Sequence, residues 1–360
     1  MEATRKNYNM MDVAKFLSAI LLVCAHTASE RVELPRILDL LCSFYIITVP
    51  FFFIASAFLF FQKLEKPVIG QAANPKDGNK INTNWGRYLK WSKRIGLMYL
   101  YWSLIYFCFV AINWYQTDAD YAVMLEWCHK SVVFSTYPTI WFLPALWIAV
   151  TLVYVLRYRY KWSAMSIFII SLIIYIFGSI EYSYHGLNPI LQTINDSYTG
   201  IMKTWRNGLF NGFVYAAVGL FIASTGTIGK WKSLIGTCVF GMAFLVEAFV
   251  MKKIAPSSDA NFLIMLVPFS YFFFNLICTI ELPDSTVYLP LRKMSMLIFL
   301  SQRLFLSAIP SVVCACCIAG PWDITDNGIL ALILVVIEVI SFSFLIMKAS
   351  ERIRILKSLM

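Results

Sequence analysis

The sequence predicts an all-α, polytopic membrane protein of about ten transmembrane helices with no soluble domain. Three observations carry that expectation. Hydrophobic residues make up 59% of the chain and charged residues only 14%, a balance foreign to soluble globular proteins. Apolar runs of about 17 to 25 residues recur along the whole length, each able to cross a hydrocarbon core of about 30 Å. Lys and Arg crowd every second loop between these runs and are sparse in the others, as positive-inside insertion requires.

Ten spans are expected, over residues 12–29, 38–61, 95–114, 138–156, 163–180, 207–225, 233–251, 262–280, 294–318 and 329–347, within one membrane domain covering 1–360. The first carries Asp12 and Lys15 and lacks a small-residue cleavage site, so it reads as an uncleaved span and not as a signal peptide. The stretch 62–94 is the longest interruption and is rich in turn formers, among them Asn74-Pro75 and Asp77-Gly78. The stretch 181–206 reads as a polar and aromatic loop, with Glu181, Tyr184, His185, Asp196, Tyr198 and Trp205.

Twenty-one of the 30 Lys and Arg residues fall on the side that also holds the N-terminus, and seven on the other. Both termini are therefore expected in the cytoplasm and the protein in the inner (plasma) membrane. The net charge of +10 is then a topology signal, and no nucleic-acid partner is expected. Eight of the nine cysteines lie in apolar segments, where Cys acts as a small hydrophobe. Cys128-His129 lacks companions at metal-ligand spacing, so no metal site is expected.

The first span holds the leading chemical candidates. Three residues fall about 60° short of a helical turn and eleven fall about 20° past three turns, so Asp12, Lys15 and His26 share one stripe. Ionisable groups at membrane depth cost several kcal/mol unless they face a protein interior or a wet cavity. The plainer reading of Asp12 and Lys15 is a local ion pair ending the helix at the interface. For His26 the choice is between a general base and a buried structural histidine. Asp12 is too far along the helix to orient the ring, so its partner must come from another helix.

Other stretches follow in chain order. Pro50 to Phe58 is aromatic and ends Ser56-Ala57-Phe58, where a small residue lets helices approach. Arg87, Lys90, Lys93 and Arg94 lead into the third span; they fit either phosphate binding or anchoring at the membrane surface. Trp141-Phe142-Leu143 opens the fourth span and suits an interfacial aromatic belt. Arg206-Asn207-Gly208 opens the sixth, with Arg206 placed to steady a substrate or simply to reach the interface. Arg303 and Glu338 fall near mid-membrane and are candidates to pair.

The fourteen-residue register of Asp12 and His26 resembles the opening helix of the family-3 integral membrane acyltransferases, the O-acetyltransferases of surface polysaccharides and related glycans. Lys15 stands where that family has Arg, which keeps the charge and loses the bidentate fork. Ser56-Ala57-Phe58 resembles the family's Ser-Gly-Phe, and Trp141-Phe142-Leu143 its Trp-Phe-Leu, without the acidic residue five places after Trp. Ser295 to Arg303 resembles a late helix reading Ser, then Tyr-Leu-x-His, with Phe299 and Gln302 at the Tyr and His positions.

The resemblance implies an enzyme that moves an acyl group, acetyl above all, from cytoplasmic acyl-CoA (acetyl-CoA) to a cell-surface or envelope glycan. It implies His26 as general base, with Asp12 and Lys15 in the catalytic set. Arg87, Lys93 and Arg94 would meet the CoA phosphates, and Trp141, Arg206 and Asn207 the acceptor. No permanently bound cofactor is expected; the partners are acyl-CoA, a glycan acceptor and the bilayer. The alternative is a small-solute transporter of related fold. Membrane domains of similar sequence accompany amino-acid racemases and are associated with uptake, and Lys15 and Gln302 keep that reading open.

Overall fold

The structure is a computed structural model and describes residues 8–31, 44–65, 84–184, 187–254, 260–308 and 328–360. Among these residues there are twelve α-helices and no strand. They are α1 (Asn9–Arg31), α2 (Thr48–Glu65), α3 (Asn84–Gln116), α4 (Tyr121–Val133), α5 (Phe142–Tyr154) and α6 (Ala164–Ser183). There follow α7 (Pro189–Met202), α8 (Phe213–Thr225), α9 (Lys230–Ile254), α10 (Leu266–Thr279), α11 (Tyr288–Arg303) and α12 (Gly328–Arg352). Eight segments are long and apolar enough to cross a bilayer, and α10 is a shorter apolar helix. The chain is a polytopic, all-α membrane protein.

Some boundaries depart from the hydropathy reading for local reasons. The third helix starts at Asn84 and not near 95, because Asn84 to Arg94 holds no proline and its one glycine, Gly86, falls in the first turn. Hydropathy marks where lipid begins, and α3 runs about 16 Å beyond that point, at about 1.5 Å per residue. The stretch 181–206, expected as a loop, contains α7. Its first turn is set by Asn188, whose Oδ1 accepts from the Ile190 amide at 2.8 Å, and by Pro189 at the first position. Asp120 caps α4 in the same way, accepting from the Val123 amide at 3.0 Å. Residues 32–43, 66–83 and 309–327 lie outside the described residues, and with them parts of the second and ninth expected spans, most of the expected 62–94 loop, and Cys42, Cys314, Cys316 and Cys317.

The chain divides into two compact units. The first comprises residues 1–11, 50–96 and 143–284. Its centre is the contact of α2 with α8, where a Cβ on Gly219 would stand 2.7 Å from the Ala57 Cβ and 2.8 Å from the Phe58 nitrogen. Close approach of backbones through small residues is how apolar helices associate in lipid. Ala57 therefore does the packing its sequence position suggested. Phe51, Phe52, Phe53 and Phe58 fill the space around this contact and are buried. Gly212 lies against Phe53 and Ala149, and Gly208 against Ala145 and Ile148, so α2, α5 and the start of α8 run in one direction. α6 opposes α8, pairing Gly178 with Phe210 and Phe168 with Phe221. α9 opposes α10 through Phe240–Phe272 and Phe244–Phe269 stacks.

Several buried polar groups in this unit bond to backbone. Glu247 on α9 accepts from the Ile264 and Met265 amides at 3.2 and 2.9 Å and from the Tyr184 hydroxyl, capping the approach to α10. Burial and that carboxylate push the Tyr184 phenol above its ordinary value. Tyr175 and Ser179 donate to the Leu263 and Phe262 carbonyls at 2.8 and 2.6 Å. Buried polar groups left unmatched would cost about 1–3 kcal/mol each, and these are matched.

The second unit comprises residues 12–49, 97–142 and 285–360. Here α11 is the hub. Tyr106 of α3 donates to the Leu300 carbonyl at 2.6 Å and stacks on Tyr137 at 4.1 Å. Phe142 meets Phe299 edge-on at 5.1 Å. Trp102 donates to the Leu359 carbonyl at 3.2 Å, tying the C-terminal turn (Arg354–Leu359) to α3.

Candidate active site

α1 and α11 are bridged at two levels by long side chains. At the lower level the Arg292 guanidinium grips the Asp12 carboxylate bidentately, Nε to Oδ1 at 2.9 Å and Nη2 to Oδ2 at 2.7 Å. Asp12 is 2% exposed and Arg292 half-exposed, so the pair seals a buried carboxylate under a half-exposed guanidinium. The carboxylate holds Arg292 above its ordinary value. At the upper level His26 Nδ1 lies 3.1 Å from Gln302 Oε1. The numbering rises along both helices from one level to the other, so α1 and α11 run in the same direction.

The upper contact defines the state of the imidazole. Gln302 Nε2 donates to the Phe299 carbonyl at 3.0 Å. A carbonyl oxygen only accepts, so the amide must turn its NH₂ to Phe299 and its oxygen to His26. His26 must then donate from Nδ1, which leaves the lone pair of the neutral ring on Nε2. Amide and tautomer follow from this network. The ring is half-buried and meets Tyr45 edge-on, with centroids 5.9 Å apart. Lys15 is 8% exposed, on the same stripe as Asp12 and His26. Asp12, Lys15 and His26 thus sit on one helix of one unit, two of them held by α11.

Trp141 belongs to the same unit. It is buried in the turn before α5, its ring against Phe134 at 6.1 Å. The remaining candidates belong to the first unit. Arg87 donates to the Lys63 carbonyl at 2.7 Å, closing the end of α2. Lys93 and Arg94 are exposed one to two turns further along α3. Beside them Trp85, Tyr88 and Tyr154 form a stack, and Glu65 pairs bidentately with Arg157 at 3.0 Å.

Arg206 and Asn207 stand on the turn ahead of α8. Asn207 Oδ1 accepts from the Leu209 and Phe210 amides, both at 3.0 Å, and its Nδ2 donates to the Tyr198 hydroxyl at 3.1 Å. Its side chain is thereby committed to shaping the turn, and half-buried Arg206 is the adjacent cation. Because Phe53 lies by Gly212 and Lys63 by Arg87, the Arg206 turn and the Arg87 cluster flank opposite ends of α2. Eighteen residues of helix extend about 27 Å.

Arg292 and Gln302 as partners of Asp12 and His26 were not named from the sequence. Arg292 counted there only as a basic residue at the membrane edge. Its one signal is a cation near the N-terminal end of a helix, where the macrodipole does not favour it and a carboxylate partner is wanted.

Comparison with known proteins adds three findings. An amino-acid racemase from Enterococcus faecalis is 24% identical over 293 residues, which cover 76% of this chain and 36% of the relative. The chain thus spans about a third of that curated relative's length. No solved structure matches it. The model of an acyltransferase domain family matches residues 8–348, both bridges of α1 and α11 included, and the chain belongs to acyltransferase family 3.

Proposed function

We propose that this chain transfers an acyl group, acetyl above all, from cytoplasmic acyl-CoA to a hydroxyl of an envelope glycan, in the plasma membrane with both termini inside. The observation that carries the reading is the Phe299–Gln302–His26 relay, which leaves a lone pair on Nε2. Nε2 takes the proton of the acceptor hydroxyl as its oxygen attacks the thioester carbon. The tetrahedral oxyanion collapses, the C–S bond breaks, and the CoA thiolate leaves and recovers the proton from the imidazolium. Gln302 accepts the hydrogen bond from Nδ1–H throughout, so the ring does not have to turn.

Lys93 and Arg94 suit the phosphates of the donor, with Arg87 fixing the end of α2 beside them. We assign Arg206, on a turn that Asn207 shapes, and Trp141 to the acceptor. Lys15 and the Asp12–Arg292 pair keep charge beneath His26. The test is transfer of radiolabelled acetyl from acetyl-CoA to glycan in membrane vesicles. A general base contributes about a hundred- to ten-thousand-fold, so His26→Ala and His26→Gln should both abolish transfer in protein that still inserts and stays monodisperse. Wild-type transfer by well-folded His26→Ala would make His26 a structural residue.

A second reading has the name of the racemase relative behind it. There the membrane helices handle a small amino-acid-like solute, and Gln302, unable to titrate, holds His26 as a ligand for that solute. The same vesicles separate the two: label enters a covalent product in the first case, and a solute accumulates without product in the second.

A further inference from the structure

Helix α7 takes no part in the chemistry above, yet its residues are sorted by face. At about 100° per residue, Ile190, Leu191, Ile194, Tyr198, Ile201 and Met202 fall within an arc of about 120°. Asn195, Thr199, Asp196 and Thr193 lie on the remainder. No residue of α7 is buried, and Ile190 and Ile201 are 69% and 66% exposed. Apolar surface of that kind needs a partner.

The neighbouring surface says which. Met165, Ile169, Ile173 and Phe177 are exposed at successive four-residue steps down α6, a stripe that a membrane-crossing helix turns to lipid. Phe177 meets Trp205 edge-on at 5.9 Å, and Trp205 stacks on Tyr198 of α7 at 3.8 Å. The lipid-facing stripe and the apolar arc of α7 are therefore joined through one indole. Trp205 Nε1 also donates to Asn195 Oδ1 at 3.0 Å, on the edge of the polar arc, which fixes how α7 is rolled about its axis.

We propose that α7 is an interfacial helix, lying in the headgroup layer with Ile190, Ile194 and Ile201 among acyl chains and Asp196 and Thr193 in water. Its partner is a phospholipid leaflet. Fourteen residues extend about 21 Å, too short to cross, and a clean polar arc is what an in-plane helix requires. Asn188-Pro189 at one end and Lys203, with φ of 65°, at the other stop it at the length of the stripe.

The test uses the full chain in phosphatidylethanolamine–phosphatidylglycerol vesicles, with a ketone-bearing amino acid carrying a nitroxide at one of positions 190, 201, 193 or 196. Collisions with oxygen report lipid and collisions with a water-soluble nickel chelate report solvent. Labels at 190 and 201 should favour oxygen, and labels at 193 and 196 should favour nickel. Nickel-dominated collisions at all four positions would overturn the proposal by putting the helix in water. Immobilised labels at 190 and 201, reached by neither reagent, would overturn it in favour of a protein partner.

Discussion

At the scale of single residues the decisive feature is a neutral amide serving an imidazole. Gln302 cannot take a proton, so its contribution to the proposed reaction is to accept from Nδ1–H and keep the lone pair on Nε2. Gln302→Ala should lower transfer about tenfold, the worth of one hydrogen bond of about 1–1.5 kcal/mol, with expression unchanged. Gln302→Glu is the sharper variant. A carboxylate beside the ring stabilises the imidazolium. The base form then appears only at higher pH, and the rising limb of the pH–rate profile should move upward. An unmoved limb in an active Gln302→Glu protein would separate Gln302 from the reacting ring. His26 was legible in the sequence because a lone histidine on an apolar helix is conspicuous, and the need for a partner on another helix was legible too. Which residue answered was not, since the meeting of α1 with α11 depends on how far each helix slides along the other. Asp12 shows the same division: a place in a protein interior was one of two readings, beside an ion pair with Lys15 at the interface, and the Arg292 partner was not named.

At the scale of elements, hydropathy reads the lipid-crossing part of a helix and is blind to what continues beyond it. It therefore missed the first eleven residues of α3 and all of α7, whose apolar arc is diluted by polar residues at every turn. Small residues were more informative. Ala57 was recognised as a packing position, and its counterpart proves to be Gly219. A Cβ at 219 would meet the Ala57 Cβ at 2.7 Å, and also the Phe58 nitrogen and Ile54 oxygen at 2.8 and 2.9 Å. Gly219→Val should destabilise by about 1–3 kcal/mol, the range for overpacking a filled core. Unfolding of the detergent-purified protein would measure it. Ala57→Gly added to Gly219→Ala should recover only part of the loss, because two of the three obstructing atoms are backbone. Full recovery would mean that the helices separate easily and that the contact is looser than its distances imply.

At the scale of the whole molecule, helix directions are read inside each unit separately. The second, fourth and sixth expected spans correspond to α2, α5 and α8, and these run one way. The fifth, α6, opposes the sixth, and the seventh and eighth, α9 and α10, oppose each other. The first and ninth, α1 and α11, run together. A chain that reversed at every expected span would give these directions inside each unit; the count of ten itself is an expectation from the sequence. Direction alone does not say which side is the cytoplasm; the proposed orientation rests on the excess of Lys and Arg. Reporter fusions at Lys76 and at the C-terminus should both read as cytoplasmic, and one at His185 as external; Lys76 and His185 lie outside the described residues. Two failures have different meanings. Lys76 and His185 on the same side would break the alternation itself. All three reporters inverted would keep the alternation and move Lys93 and Arg94 to the face opposite the cytoplasmic CoA pool, and the proposed direction of acyl transfer would fall with it.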